Sequence, residues 1–231
     1  MPTLVLLPGL DGTGELFAPL VSELQSDLSI KIVRYPQDPR LGYKELLQLV
    51  KEALPPDDSV VLLGESFSGP VAIQLASELK DQVRGLILCC TFASNPRPRL
   101  GWASFALSVV PFQLLPVSPM IRLLLGTKPS ETVRALAKRV MGELPPAVIR
   151  ARLRQVISVN VHNELRGISV PVLYLQATGD QLVPRTAGAD ICANSSAELV
   201  QLAGPHGLLQ TQPKAVADVI RGFIQRIQNV A

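Results

Sequence analysis

The 231-residue sequence predicts an α/β fold of the α/β class with about six strands in a mostly parallel sheet, flanking helices and an all-helical insertion. Two observations carry this. Short β-branched runs alternate with apolar repeats of helical period, the pattern of a parallel sheet whose crossovers are helices. The alternation then fails over residues 95–166, where helical patterns follow one another without a strand.

Taken in order, the strands fall at 3–7, 30–34, 60–63, 86–90, 170–176 and 197–202. Between them lie helical faces such as Leu46, Leu47, Val50 and Leu54. The clearest is the last, where Val216, Val219, Ile220, Phe223, Ile224 and Ile227 form one stripe to set against the sheet. Within the insertion, helices are expected near 102–110, 119–125, 130–141 and 145–159, with joints at Pro96, Pro98, Gly101, Pro129, Pro145 and Pro146. The domain organisation is therefore a core of 1–94 and 167–231 and a helical cap, or lid, of 95–166.

Composition narrows the function classes. With 47% hydrophobic and 18% charged residues, the chain can bury a core and lies far from disordered sequences. Only 4% aromatics and a net charge of +3, with no nucleic-acid module, argue against a nucleic-acid partner. The stretch 102–125 is apolar enough to raise a membrane span, but Pro111, Pro116, Pro119 and Arg122 cut it into pieces too short to cross, so no transmembrane segment is expected. The start of the chain has no basic region ahead of its apolar run and does not read as a signal peptide. Cys89, Cys90 and Cys192 make neither a metal spacing nor an even disulfide set, which fits a reduced, cytoplasmic compartment. Two histidines and scattered thiols suggest no ligand cluster, so no metal and no cofactor are expected.

The strongest local signal is VVLLGESFSG, a strand running into a tight turn with Ser66 at its apex and a helix beyond. Such a turn needs small residues two before and two after the serine, because strand and helix nearly touch. Gly64 and Ser68 supply them, with Gly69 one place beyond the usual glycine. The plainer reading is a buried turn with an incidental serine. A nucleophilic serine needs a base. His206, in the loop sequence LAGPHGLLQTQP, is the candidate, whereas His162, in VNVHNELRGI, reads as a solvated helix residue. Asp180, in VPVLYLQATGDQLVP, stands at the end of the fifth strand and could orient the imidazole, or could simply close an Asx turn. Oxyanion donors fall by position on the backbone amides of Phe67, just after the serine, and Leu10, in the loop PGLDG after the first strand. That loop could instead cradle phosphate, but it lacks the Walker lysine and the dinucleotide spacing.

Through LVLLPGLDG, GESFSG, ATGDQLVP and GPHGLLQTQP, in that order, the chain resembles the α/β-hydrolase family of serine esterases, lipases and thioesterases over nearly its whole length. The order Ser66, Asp180, His206 is the family's chain order for its triad. The resemblance implies an acyl-enzyme and a helical cap after the strand that ends near Cys90. Family members often begin with an antiparallel hairpin for which this chain has no room, so a trimmed core is expected. Carrier-protein methyl esterases of biotin synthesis and plant plastid acyltransferases are the similar branches; a non-catalytic ligand receptor is the reading from another class.

Charge is divided between the two parts. Residues 95–166 hold eleven Lys and Arg against three Glu, a net of +8, which leaves −5 for the rest. Pairs such as Arg134 and Lys138, or Arg150 and Arg154, fit a solvated helix face. The segregation of sign could also steer an acidic acyl-carrier protein or an anionic lipid surface to the site. The apolar residues Trp102, Phe105, Leu107, Phe112, Leu114, Leu115, Ile121, Leu123, Leu124 and Leu125 suit a cavity for an acyl ester substrate or the packing of the cap.

Overall fold

The computed structural model describes residues 2–56, 58–98 and 116–230. The helix expected at 102–110, together with Trp102, Phe105, Leu107, Phe112, Leu114 and Leu115, lies outside the described residues. Six strands, β1 (Thr3–Leu7), β2 (Ile30–Ile32), β3 (Val60–Glu65), β4 (Val83–Cys89), β5 (Val172–Ala177) and β6 (Glu198–Leu202), form one sheet in the order β2-β1-β3-β4-β5-β6. Every neighbouring pair is parallel.

Alternation along the strands divides the core in two. Val5, Leu7, Leu62, Leu86, Leu88 and Tyr174 face one side, against α2 (Tyr43–Ala53) and α3 (Gly69–Glu78). Leu4, Leu6, Val61, Leu63, Ile87 and Leu173 face the other, against α1 (Ala18–Leu24) and the C-terminal helix Pro213–Val230, which presents the expected stripe through Val216, Ile220, Phe223 and Ile224. Strands covered on both faces read as continuous apolar runs, which is why β1, β3 and β5 are buried at every residue.

The fourth strand is longer at its start than the 86–90 expected, because Val83 already pairs with Val60. It stops at Cys89 because Cys90 turns into the left-handed region at φ 48. Beyond it come α4 (Val117–Leu125), α5 (Glu131–Glu143), α6 (Pro146–Ser158) and α7 (His162–Arg166), then β5, α8 (Arg185–Ala193), β6, the single turn α9 (Leu208–Thr211) and the C-terminal helix, α10. Ser130 caps α5 by accepting from the Val133 amide at 3.3 Å, and Pro146 opens α6, where its missing N–H leaves no bond unmade. The two ends of the segment 95–159 meet at an isolated antiparallel bridge between Ser94 and Asn160. No helix among the described residues is long and apolar enough to cross a membrane.

The strand order reverses between β1 and β3, so the loops leaving their carboxyl ends part to opposite sides and open a crevice. The Pro8 loop and Ser66 stand at that point. Ile220 is wholly buried between α10 and the sheet. Ile220→Ala should lower unfolding stability by about 2–5 kcal/mol in urea titrations, with little change in the denaturant slope.

Candidate active site

β3 delivers the chain into Ser66, which begins a single helical turn, Ser66–Ser68, before α3. Ser66 holds φ 50, a left-handed conformation that costs a residue with a side chain. The reversal is tight because its neighbours touch. A Cβ at Gly64 would stand 2.8 Å from the Ala72 Cβ, and one at Gly69 would overlap the Thr91 side chain. The Thr91 hydroxyl in turn donates to the Ser66 carbonyl. Ser68 has the expected small size and is wholly buried, yet its hydroxyl also makes bonds. It donates to the Pro8 carbonyl and sits 2.7 Å from the Tyr35 hydroxyl, fastening the elbow to the β1 loop.

The structure brings three predicted side chains into one row. His206 lies in the loop between β6 and α9, with its Nε2 2.8 Å from the Ser66 Oγ and its Nδ1 2.7 Å from the Asp180 Oδ2. The side chains of His206 and Asp180 are only 4% and 3% exposed, so water competes little for these bonds. The Asp180 Oδ1 accepts the amides of Leu182 (2.8 Å) and Val183 (2.9 Å), the Asx turn anticipated for this loop. That turn fixes the carboxylate and leaves Oδ2 to the imidazole. An Nδ1 proton shared with Asp180 leaves the Nε2 lone pair facing the serine hydroxyl, the arrangement of a general base. His162 goes elsewhere: it lies 2.7 Å from Asp190 and 2.8 Å from Asn160, linking α7 to α8.

The loop after β1 is held at nearly every polar group. The Gly12 amide donates to the Gly9 carbonyl at 3.1 Å, closing a turn around Leu10 and Asp11, and Gly12 itself is left-handed at φ 72. The Asp11 carboxylate accepts from the Thr13 amide (2.9 Å) and hydroxyl (2.6 Å). Gln37 donates to the Asp11 carbonyl at 2.9 Å, and the Tyr35 amide to the Gly12 carbonyl at 2.8 Å. The Leu10 carbonyl accepts from the Arg152 Nη1 at 2.6 Å. Among the described residues the Leu10 amide donates to no backbone carbonyl. Phe67 is anchored from behind, where the Tyr43 hydroxyl donates to its carbonyl at 3.0 Å and the two rings stack at 4.7 Å.

Helices α4 to α6 touch both sides of this arrangement. The Gly207 amide, next to His206, donates to the Leu124 carbonyl at 2.6 Å, and Arg139 pairs with Glu15 beyond the β1 loop.

Several residues near the row escape a sequence reading. Glu65, adjacent to Ser66, is buried, and its carboxylate accepts from the Gln210 side-chain amide at 2.9 Å. Burial pushes its carboxyl up to about 7, against the opposing pull of the Gln210 amide donor. Cys90, thrown sideways by its left-handed backbone, offers a thiol so placed that the ligand atoms of Cys90, Asp180 and His206 lie within 4.8 Å of one another. Linear spacing of the cysteines gave no hint of this group. Asp180 and His206 already use their facing atoms on each other.

A family model described as "Alpha/beta hydrolase family" matches residues 4–219. The chloroplastic phytyl ester synthase 1 of Arabidopsis thaliana is 27% identical over 177 residues, covering 72% of this chain and 25% of that protein. The biotin biosynthesis bifunctional protein BioHC of Cellvibrio japonicus (strain Ueda107) is 25% identical over 252 residues, covering 98% of this chain and 48% of that protein. This chain thus spans about a quarter of the first relative and about half of the second. Among solved structures, a thermophilic esterase from Thermogutta terrifontis superposes with a TM-score of 0.80 at 18% identity, over 98% of this chain and 90% of that one.

Glu65 generates a prediction with a definite sign. Its folded value of about 7 lies above its ordinary 4.5, so the folded state holds that proton more tightly. The associated stability is complete below pH about 4.5 and is lost as pH rises through about 7. Glu65→Gln, which keeps the shape and cannot ionise, should remove up to roughly 3 kcal/mol of that loss. Urea unfolding of both proteins at pH 4.5 and pH 8 measures it, and parallel pH dependence would assign the loss to other groups.

Proposed function

Because the chain belongs to the alpha/beta hydrolase family, we propose that it is a serine hydrolase cleaving carboxylic esters or thioesters with an apolar acyl group, without metal or cofactor. The observation that carries this reading is the continuous row from Ser66 through His206 to Asp180, with bonds of 2.8 and 2.7 Å. His206 removes the Ser66 proton as Oγ attacks the carbonyl carbon. Asp180 holds the ring and stabilises the imidazolium that forms. The amides of Leu10 and Phe67 bind the oxyanion. Collapse of the tetrahedral intermediate passes the proton from His206 to the leaving alcohol or thiol. Water, deprotonated by the same imidazole, then releases the acid and restores Ser66.

Residues 95–166 act as a cap over this centre, and their excess of cationic side chains suits an acidic acyl-carrier protein presenting its ester at the mouth. The name of the bifunctional relative, with its part in biotin biosynthesis, is in keeping with a carrier-linked substrate. The other relative's name, an ester synthase, favours a second reading, in which an alcohol replaces water in resolving the same acyl-enzyme. An anionic lipid surface is the other partner that the charge would attract.

Ser66→Ala and His206→Ala should each lower turnover of a p-nitrophenyl ester by on the order of a millionfold, and a fluorophosphonate probe should label wild type but not Ser66→Ala. An unlabelled wild-type protein would point instead to a receptor pocket on this fold. Turnover of a carrier-linked ester should fall steeply as salt rises from about 0.01 to 0.15 M, while that of a small neutral ester barely changes. Equal salt responses would remove the carrier protein as partner.

A further inference from the structure

Among the described cationic side chains of residues 95–166, Arg152 alone is buried, at 2% exposure. Among the described residues no carboxylate lies within ion-pair distance of it. Its donors go to two carbonyls of the sheet's front loops: Nη1 to Leu10 at 2.6 Å and Nη2 to Pro36 at 3.1 Å. Its guanidinium carbon stands 5.9 Å from the ring centroids of both Tyr35 and Phe67. Gly12, at φ +72, leaves it the room, since a Cβ there would approach Nη1 to 2.6 Å.

Burying a guanidinium that makes no direct ion pair, with the Asp11 carboxylate attracting it only from a longer distance, is a poor way to seat a helix, because an apolar side chain of similar volume packs without the desolvation cost. The location of the contacts gives the better account. Arg152 grips Leu10 through its carbonyl and lies near the Phe67 ring, and these are the two residues assigned as oxyanion donors.

We propose that Arg152 is a positioning residue which couples the seating of α6 to the oxyanion-binding geometry, so that the helical segment completes the site as well as covering it. The proposal rests on the reading of the Leu10 and Phe67 amides given above. Two peptide planes flank the Leu10 Cα. One is fixed by the bond from the Gly12 amide to the Gly9 carbonyl, the other by the bond from Arg152 to the Leu10 carbonyl. The first plane carries the Leu10 N–H, and the second keeps the turn around Leu10 and Asp11 in the shape that the Gly12 to Gly9 bond closes, so the donor is set before substrate arrives. Without Arg152 the second plane loses its tie to α6, and the turn that carries the Leu10 N–H loses one of its restraints, so the donor is aimed less sharply. The guanidinium also adds positive potential beside the developing oxyanion, in a place that water hardly reaches. Both effects act on the transition state more than on the bound ester, so they belong in kcat and not in KM.

The test compares Arg152→Met, which keeps the volume, and Arg152→Lys, which keeps the charge but not the fork, with wild type. Endpoint fluorophosphonate labelling counts the folded active sites, so that kcat for a p-nitrophenyl ester is expressed per site. Arg152→Met should lose about 10- to 100-fold in kcat with KM nearly unchanged, and should bind a trifluoromethyl ketone, which forms an oxyanion on Ser66, weaker by the same factor. Arg152→Lys should fall between. Gly12→Ala, whose methyl displaces the guanidinium, should reproduce the loss, and the double variant Gly12→Ala with Arg152→Met should be no worse than the poorer single one. Lys214→Met, an exposed loss of one positive charge outside residues 95–166, is the control and should keep wild-type kcat. Full kcat per labelled site with undiminished ketone binding in Arg152→Met overturns the proposal, whatever happens to melting temperature. If Arg152→Met does not fold, the same readouts on Arg152→Lys and Gly12→Ala decide. Activity surviving in Ser66→Ala would instead sink the acyl-enzyme reading itself.

Discussion

The site depends on one steric fact, that β3 and α3 approach so closely around Ser66 that the serine has no room except the left-handed conformation. Gly64 faces Ala72, Gly69 faces Thr91, and Thr91 also binds the carbonyl of Ser66. A side chain held at φ 50 by contacts on three sides stands proud of the sheet edge and cannot fold back along its own helix. Strain of about 1–3 kcal/mol at such a residue persists only because the surrounding core over-determines it. Here that core is two fully buried apolar layers on either face of a six-stranded parallel sheet.

Once Ser66 is fixed, its partners need only arrive from other strand ends. Parallel strands all finish on one side, so the loops after β5 and β6 bring Asp180 and His206 from 114 and 140 residues away to a single row. Burial of that row strengthens its hydrogen bonds, since water does not compete for them. The same burial acts on Glu65, whose carboxyl resists ionisation in spite of the Gln210 amide that donates to it. One environment thus supports the histidine row and taxes its neighbour.

The segment 95–166 changes character between sequence and structure. Its excess of positive charge reads as a solvated face or a docking field, and Arg134, Lys138 and Arg154 are indeed exposed. Arg152 belongs to the same charge count but turns inward, and with Gln155, which packs on Gly42, it ties α6 to the loops of the core. A net charge cannot separate these roles, because the sum is indifferent to which side of a helix a guanidinium occupies.

By itself the sequence determined six strands in a parallel sheet and their covering helices, and it pointed to Ser66, Asp180 and His206, which the fold brings into one row. Period-2 and period-3.6 apolar patterns follow directly from which faces must be buried, and a tight turn leaves small residues at set offsets. Boundaries moved where pairing decided them, as at Val83, or where the backbone turned, as at Cys90. Only the tertiary structure decided the neighbours of those residues: Ser68 bonded to Pro8, Glu65 to Gln210, Cys90 brought beside Asp180, and Arg152 set against Leu10. Such contacts join residues up to 145 positions apart, and a hydrogen bond across that distance leaves no periodic trace in the chain. The physical reason is that local pattern reports which side of an element is buried, whereas partner choice depends on how whole elements pack.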